Sequence, residues 1–378
     1  MLSLEPYSMP PFYPEVGKAA RGATIPPVAY LKWYIECLDE QRPHNLSFSG
    51  LQFEWDLSDV EEAWLDHRRF GGDERDVVAQ QFGVSVENVH LCLGATQGIS
   101  LALLAVCDRR RIAVEMPSYG PVSQSARLLG METVAVHRRP ADTHWLIDRD
   151  EWSKQLADVD AVVVTPQLNP TGWDYTDDDR EWLVNTCREK GVHIISDEVY
   201  AAADSKWKGM YLEGEHCITV SSLTKVHGLG AIRYGWVIAA PHLIERIGDA
   251  FHNLAGQMSS SSIQFAEAVF PRLHEAEDKI REYREINLPL LIAALERLGI
   301  DWAPPPNGVF GAFRIPGVDT KALIDGPGKD NGLLAVPGCM FDEGLDEWLR
   351  VAWSIDPQSF AAAVEVLERI IGNAMSEP

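Results

Sequence analysis

Lysine is scarce in this chain. Its 33 basic residues are 10 lysines and 23 arginines, set against 56 aspartates and glutamates, for a formal charge of −23. So acidic a surface argues against nucleic acid as the main partner, because phosphate contacts need positive charge. It suits a salt-rich cytoplasm, where hydrated carboxylates aid solubility, and equally an ordinary acidic protein. Cysteine is sparse and scattered (Cys37, Cys92, Cys107, Cys187, Cys217, Cys339), with no CxxC pair. Reduced core thiols are therefore expected, and neither a disulfide framework nor a metal site. No apolar run approaches the roughly 20 residues that span a bilayer. Residues 1–14 are polar and proline-rich, without the basic-then-apolar order of a secretion signal. Internal repeats, low-complexity tracts and an appended DNA-binding segment are also missing. The expectation is a cytoplasmic protein with no metal, membrane or nucleic-acid partner.

What the chain does have is length for two domains, 378 residues, and an ordinary 46% hydrophobic content. Short β-branched runs at 112–116, 133–136, 161–165, 193–196 and 218–221 read as buried strands. Between them 97–107, 122–129 and 176–189 carry helical patterns. Apolar strands alternating with helices predict an α/β fold with a mostly parallel central sheet covered on both faces. After about residue 281 the pattern changes. A long helix carrying Tyr283, Leu288, Leu291, Ile292, Leu295 and Leu298 leads to a proline-rich break at 304–308. Strands near 333–336 and 349–353 follow, then a last helix over 357–371. The expected organisation is a large domain, 46–280, and a smaller α+β domain made of 1–45 with 281–378.

Ligands of open parallel sheets bind beyond the carboxyl ends of the strands, and the notable motifs lie there. Gly94-Ala95-Thr96-Gln97-Gly98 opens a helix whose N-terminus favours an anion, though such a turn also serves structure alone. Met116-Pro117-Ser118-Tyr119-Gly120-Pro121 offers Tyr119 either to stack on a flat ring or to fill the core. Asn169-Pro170-Thr171-Gly172 is a turn after a strand. Asp197 ends a buried strand, three residues before Tyr200, where a carboxylate is costly unless paired; a helix cap or structural ion pair would also serve. The run Ser221-Ser222-Leu223-Thr224-Lys225 continues to Arg233. A lysine behind a hydroxyl cluster, with a guanidinium eight residues on, suits an aldehyde cofactor carrying a phosphate. The amine forms a Schiff base; Ser222 and Arg233 hold the phosphate. Arg350 lies at a strand end in Trp348-Leu349-Arg350-Val351-Ala352-Trp353, after Val336-Pro337-Gly338. Ser49-Gly50 closes a polar loop.

These motifs, in this order and over residues from about 45 to 370, resemble the class I/II aminotransferases, the fold-type I enzymes that use pyridoxal 5'-phosphate (PLP). The resemblance implies a homodimer with active sites at the subunit interface. It makes Lys225 the catalytic residue and assigns the cofactor to Gly94, Ala95, Thr96, Tyr119, Asn169, Asp197, Tyr200, Ser222, Lys225 and Arg233. Asp197 would face the protonated ring nitrogen, and Asn169 and Tyr200 the phenolic oxygen. Arg350 would grip the substrate α-carboxylate, with Asn169, Ser49 and Gly50 beside it. The implied activity, in amino acid metabolism, moves an amino group between an amino acid and a 2-oxo acid. Another PLP reaction at Cα, whether β-elimination, decarboxylation or cyclisation, is the alternative on the same scaffold. A binding module built on this fold is a third reading, which the acidic charge and the missing DNA-binding segment oppose. One feature departs from the family. A tyrosine that often reaches the partner's phosphate is absent from His67-Arg68-Arg69-Phe70-Gly71-Gly72, leaving that contact to Arg68 or Arg69. His227 stands where many relatives carry an aromatic residue; a packed or exposed histidine is the plain reading.

Overall fold

The structure, a computed structural model, describes residues 28–56, 73–108, 110–141, 144–204 and 206–376. Arg68, Arg69 and the proline-rich start lie outside these. The first strand, β1 (His44–Asn45), belongs to a small ladder described below. Among the described residues the main sheet has eight strands: β2 (Val89–Cys92), β3 (Arg111–Met116), β4 (Glu132–Pro140), β5 (Trp145–Ile147), β6 (Ala161–Val164), β7 (His193–Asp197), β8 (Cys217–Ser222) and β9 (Gly235–Ile238). Their order is β2-β9-β8-β7-β6-β3-β4-β5. The run β8-β7-β6-β3-β4 is parallel throughout. β9 lies antiparallel between β8 and β2, and β5 is an antiparallel edge on β4.

The apolar strands are continuous because both faces are covered. In β6, Ala161 and Val163 pack with Leu101 and Ala102 of the helix Ala95–Val106. Val162 and Val164 pack on the opposite face with Leu183, Val184 and Cys187 of the helix Asp177–Lys190. That second helix has a full set of end signals. Thr176 caps it by accepting from the Asp179 N–H, three aspartates fill its first turn, Arg188 and Lys190 its last, and Gly191 stops it in the left-handed region. The helix Ala95–Val106 begins differently: its N-cap is Gly94, which has no side chain to satisfy the first N–H groups.

A second sheet, in the order β10-β13-β12, is antiparallel: β10 (Phe310–Arg314), β12 (Val336–Pro337) and β13 (Trp348–Ala352). Phe313, Leu349, Val351 and Trp353 form a core with Leu291 and Leu295 of the helix Leu273–Arg297 and with Phe360 and Leu367 of the helix Pro357–Ser376. Cys37, from the helix Ala29–Asp39, joins that core, and β1 pairs in parallel with β11 (Leu333–Leu334). The N-terminal segment thus lies against the C-terminal one. Among the described residues no helix is long and apolar enough to cross a membrane.

Topology places the site. β3, β6, β7 and β8 point the same way, so Met116, Val164, Asp197 and Ser222 end at one edge. The antiparallel β9 begins at that edge, with Gly235 opposite both Ser222 and Cys92. Gly235 is there because nothing larger fits: a Cβ would lie 2.8 Å from the Gly94 Cα and 2.9 Å from the Ser221 carbonyl oxygen. Backbone on both sides cannot rotate away. Gly235→Ala is expected to lower the urea midpoint of unfolding, at a cost of roughly 1–3 kcal/mol. An unchanged midpoint would show that the sheet relaxes there freely.

Candidate active site

At the shared edge a cavity of about 270 Å³ opens. Strand ends and the turns after them supply most of its wall: Ala95 and Thr96 after β2, Tyr119 after β3, Thr165 and Asn169 after β6, Asp197, Val199 and Tyr200 at β7, and Ser222, Thr224 and Lys225 at β8. Arg233 enters from the turn before β9. Ser49 comes from the loop after β1. Of the residues the sequence singled out, all of these reach the cavity. Gly94, Gly50 and Arg350 lie directly behind its wall.

Lys225 is the half-buried amine at the centre. Its Nζ is 3.3 Å from the Ser49 Oγ and 5.7 Å from the centroid of the Phe48 ring. Loss of water, with the positive charge of Arg350, pushes its pKa down to about 8; Asp197 opposes the shift. Asp197 is 9% exposed, and one carboxylate oxygen accepts from the Val199 N–H at 3.3 Å. Burial raises it to about 7, against the pull of that N–H and of Lys225. A carboxylate held so poorly in the protein alone is suited to a cationic partner in the cavity. Tyr200 is buried, its hydroxyl 3.1 Å from the Ser49 Oγ, so one serine touches both the tyrosine and the lysine.

The anion end is built by close backbone approach. Arg233 adopts a left-handed conformation, φ 50°, and its guanidinium donates to the Leu93 and Gly230 carbonyls. At Gly94, φ 106°, a Cβ would lie 2.6 Å from the Arg233 Nη2. Glycine therefore lets the guanidinium lie against the uncapped helix start at Ala95 and Thr96, with Ser222 across β9. N–H groups, hydroxyls and a guanidinium together make a donor set for a phosphate.

Arg350, on β13, is only 1% exposed. It donates to the Asn169 Oδ1 at 3.0 Å and to the Ser47 carbonyl, and its carbon centre lies 5.3 Å and 5.1 Å from the Phe310 and Phe341 ring centroids. Its Nε has no hydrogen-bond partner. Among the described residues no carboxylate pairs with it. A buried guanidinium with neutral acceptors and a spare donor is a waiting anion site. Gly50 supports this end structurally: its carbonyl accepts from Ser354, and a Cβ would meet the Phe48 ring at 2.9 Å.

Sequence reasoning missed one wall. Tyr30, Leu31 and Tyr34 of the helix Ala29–Asp39 line the cavity with Ser47 and Phe48. Tyr30 stacks on Tyr34 at 5.6 Å between centroids and meets Tyr119 edge-on at 5.5 Å, which places Tyr119 in an aromatic cluster. The signal was the aromatic spacing Tyr30, Trp33, Tyr34, one face of a helix. His227 is a packed histidine, 4% exposed, with its Nε2 3.4 Å from a Glu277 carboxylate oxygen.

The chain is similar to known proteins in sequence and in fold. A family profile, "Aminotransferase class I and II", matches residues 74–367. A valine–pyruvate aminotransferase of Mycobacterium tuberculosis is 27% identical over 71% of this chain and 73% of its own. A histidinol-phosphate aminotransferase of Salmonella paratyphi B is 31% identical over 44% of this chain, less than half (46%) of its own length. In fold, the chain is similar to an aspartate aminotransferase of Thermus thermophilus, with a TM-score of 0.79 and 18% identity over 93% of this chain and all of that one.

The buried acid carries a pH-dependent cost that can be measured without any ligand. The folded pKa of Asp197 lies above its unfolded value, so the folded protein binds the extra proton and loses relative stability as pH rises from about 4 to about 7. Asp197→Asn should therefore stabilise the cofactor-free protein at pH 8. The gain should shrink as pH falls through that window and vanish near pH 4, as read from urea midpoints. A gain independent of pH would refute the assignment of this shift.

Proposed function

The chain belongs to the class I and II aminotransferases, a PLP-dependent family, and is a transaminase; from that premise we propose that it binds PLP in the cavity around Lys225 and transfers an amino group from an amino acid to a 2-oxo acid. The observation that carries this reading is the meeting, in one cavity, of a depressed lysine, an ill-satisfied carboxylate and a phosphate-type donor set, with a buried arginine behind its wall. The donor set fits the cofactor: Ala95, Thr96, Ser222 and Arg233 suit its phosphate, and Asp197 suits a protonated ring nitrogen.

When bound, the cofactor supplies an aldehyde that condenses with amines and a ring that takes up electrons from the substrate Cα. The protein's part is positional and protolytic. Arg350 holds the α-carboxylate, replacing weak neutral contacts by a bidentate pair. Lys225, with a pKa near 8, is neutral often enough at physiological pH to act as nucleophile, and its Nζ removes the proton from Cα. Asp197 keeps a proton on the ring nitrogen. Asn169 and Tyr200 address the phenolic oxygen, Tyr119 packs beside the ring, and Ser49 and Gly50 form the substrate side of the wall. Tyr30, Leu31, Tyr34 and Phe48 shield the reacting atoms from water.

The proposal includes a cytoplasmic homodimer, active in amino acid metabolism, whose partner subunit supplies the phosphate contact through Arg68 or Arg69. The PLP-binding unit would comprise residues 46–280, and 1–45 with 281–378 would form the smaller unit. Light scattering tests the assembly directly.

Borohydride treatment of the PLP-loaded protein should fix the cofactor on Lys225, as located by peptide mapping. In a separate, unreduced sample of the PLP-loaded protein, donor amino acids should yield pyridoxamine phosphate with one equivalent of oxo acid. Ammonia or carbon dioxide release with the cofactor's absorbance retained would favour the elimination or decarboxylation alternative, and no spectral response to any donor would favour a binding module. Lys225→Ala should lower kcat by roughly 10²-fold or more. Arg350→Lys, which loses the planar fork, should raise the donor KM roughly tenfold or more. Wild-type kinetics in either variant would remove that residue from the mechanism.

A further inference from the structure

Against the loop that carries Asn169 lies a buried glutamate–arginine pair that the mechanism above does not use. Glu115, near the end of β3, is 2% exposed, and Arg138, on the adjacent β4, is 1% exposed. They are 3.9 Å apart. Neither touches the cavity. Instead their hydrogen bonds go to the two ends of one loop, residues 165–175, which carries Asn169. At its start, the Thr165 N–H donates to a Glu115 oxygen at 2.8 Å and the Pro166 carbonyl accepts from Arg138 at 3.0 Å. At its end, the Asp174 carbonyl accepts from Arg138 at 2.6 Å and the Tyr175 hydroxyl donates to the other Glu115 oxygen. The third arm of Arg138 donates to the Trp145 carbonyl at 3.1 Å, and its guanidinium lies 4.5 Å from the Tyr175 ring centroid.

We propose that Glu115 and Arg138 are positioning residues for the amino donor: they clamp both ends of the 165–175 loop and so hold the Asn169 side chain where it meets Arg350. This inference rests on the reading of Asn169 and Arg350 given above. The geometry is specific to these two side chains. One planar guanidinium reaches both loop ends at once because its donors are fixed in a fork, and one carboxylate offers two oxygens to two donors. An apolar pair of similar volume would fill the space but leave the Thr165 N–H and two loop carbonyls without partners. Between its anchors the loop closes on itself: the Leu168 N–H donates to Trp173 at 2.9 Å and the Gly172 N–H to Leu168 at 2.7 Å. A displacement at the anchors therefore moves Asn169 with the loop.

The test uses the PLP-loaded protein and two readouts: the donor KM against kcat, and the pH midpoint at which the bound cofactor's visible absorbance titrates. Tyr175→Phe removes one hydroxyl, and Arg138→Met removes the clamp. We expect the donor KM to rise about threefold in the first and tenfold or more in the second, with kcat changed less, and the absorbance midpoint to move by about 0.3 unit or more. Arg138→Lys should recover part of both effects, and Glu115→Gln should fall between wild type and Glu115→Leu. In an Asn169→Ala background Tyr175→Phe should add nothing, since coupled residues are non-additive. Should Arg138→Met fail to fold, Tyr175→Phe and its cycle with Asn169→Ala decide the matter. Wild-type KM and midpoint in Tyr175→Phe, or an equal effect in both backgrounds, overturns the positioning role alone. Asn169→Ala that itself leaves both quantities unchanged overturns the role together with the reading of the site.

Discussion

A guanidinium out of water and, among the described residues, without a carboxylate is the constraint around which this molecule is arranged. Arg350 is held by the Asn169 side chain and the Ser47 carbonyl and lies near the rings of Phe310 and Phe341. Those contacts join four stretches of chain: the loop after β1, the turn after β6, β10, and the turn between β12 and β13. Burying a charge with such partners is unfavourable unless its hydrogen bonds are well made. Its neighbours are held in place in turn: the loop of Asn169 is bonded to Glu115 and Arg138, and a Cβ on Gly50 would meet Phe48. The same charge helps to depress Lys225. The buried arginine and the state of the central amine are thus electrostatically linked.

Much of this was legible in the sequence, and for an identifiable reason. A parallel strand buried on both faces leaves a short apolar run, and function collects in the turn after it. Asn169, Asp197 and Lys225 each follow such a run, so their convergence could be read from position alone. β9 was not legible as a sheet strand. Its four residues, Gly235–Ile238, are too few to show a period, and antiparallel pairing leaves no mark in a single strand. The consequence was that Arg233 could be matched to a phosphate by spacing, while the way it arrives, through a left-handed residue beside two glycines, could not.

Two other parts were hidden by different physics. Tyr30 and Tyr34 are far from the motifs in sequence, and an aromatic stripe on a helix reads as core wherever it packs. Glu115 lies in a run read as a buried strand and Arg138 just past another, but neither run tells which partner its polar residue meets. Only the fold shows that β3 and β4 are neighbours and that both side chains turn under the same loop. The contrast between helix starts is instructive as well. Thr176 closes its helix with its own hydroxyl, whereas Gly94 leaves its helix open toward the cavity. The helix with a polar cap starts away from the cavity and the one with a bare cap starts at it, the reverse of what polarity alone suggests.

The small ladder between β1 and β11 has a bearing on biogenesis. His44 pairs with Leu333 and Asn45 with Leu334, across nearly the whole intervening chain. On a ribosome the earlier partner emerges long before the later one, so the helix Ala29–Asp39 must wait, its tyrosine face uncovered, while the main sheet is made. Contacts of such long sequence separation form late and leave nascent surfaces open to aggregation.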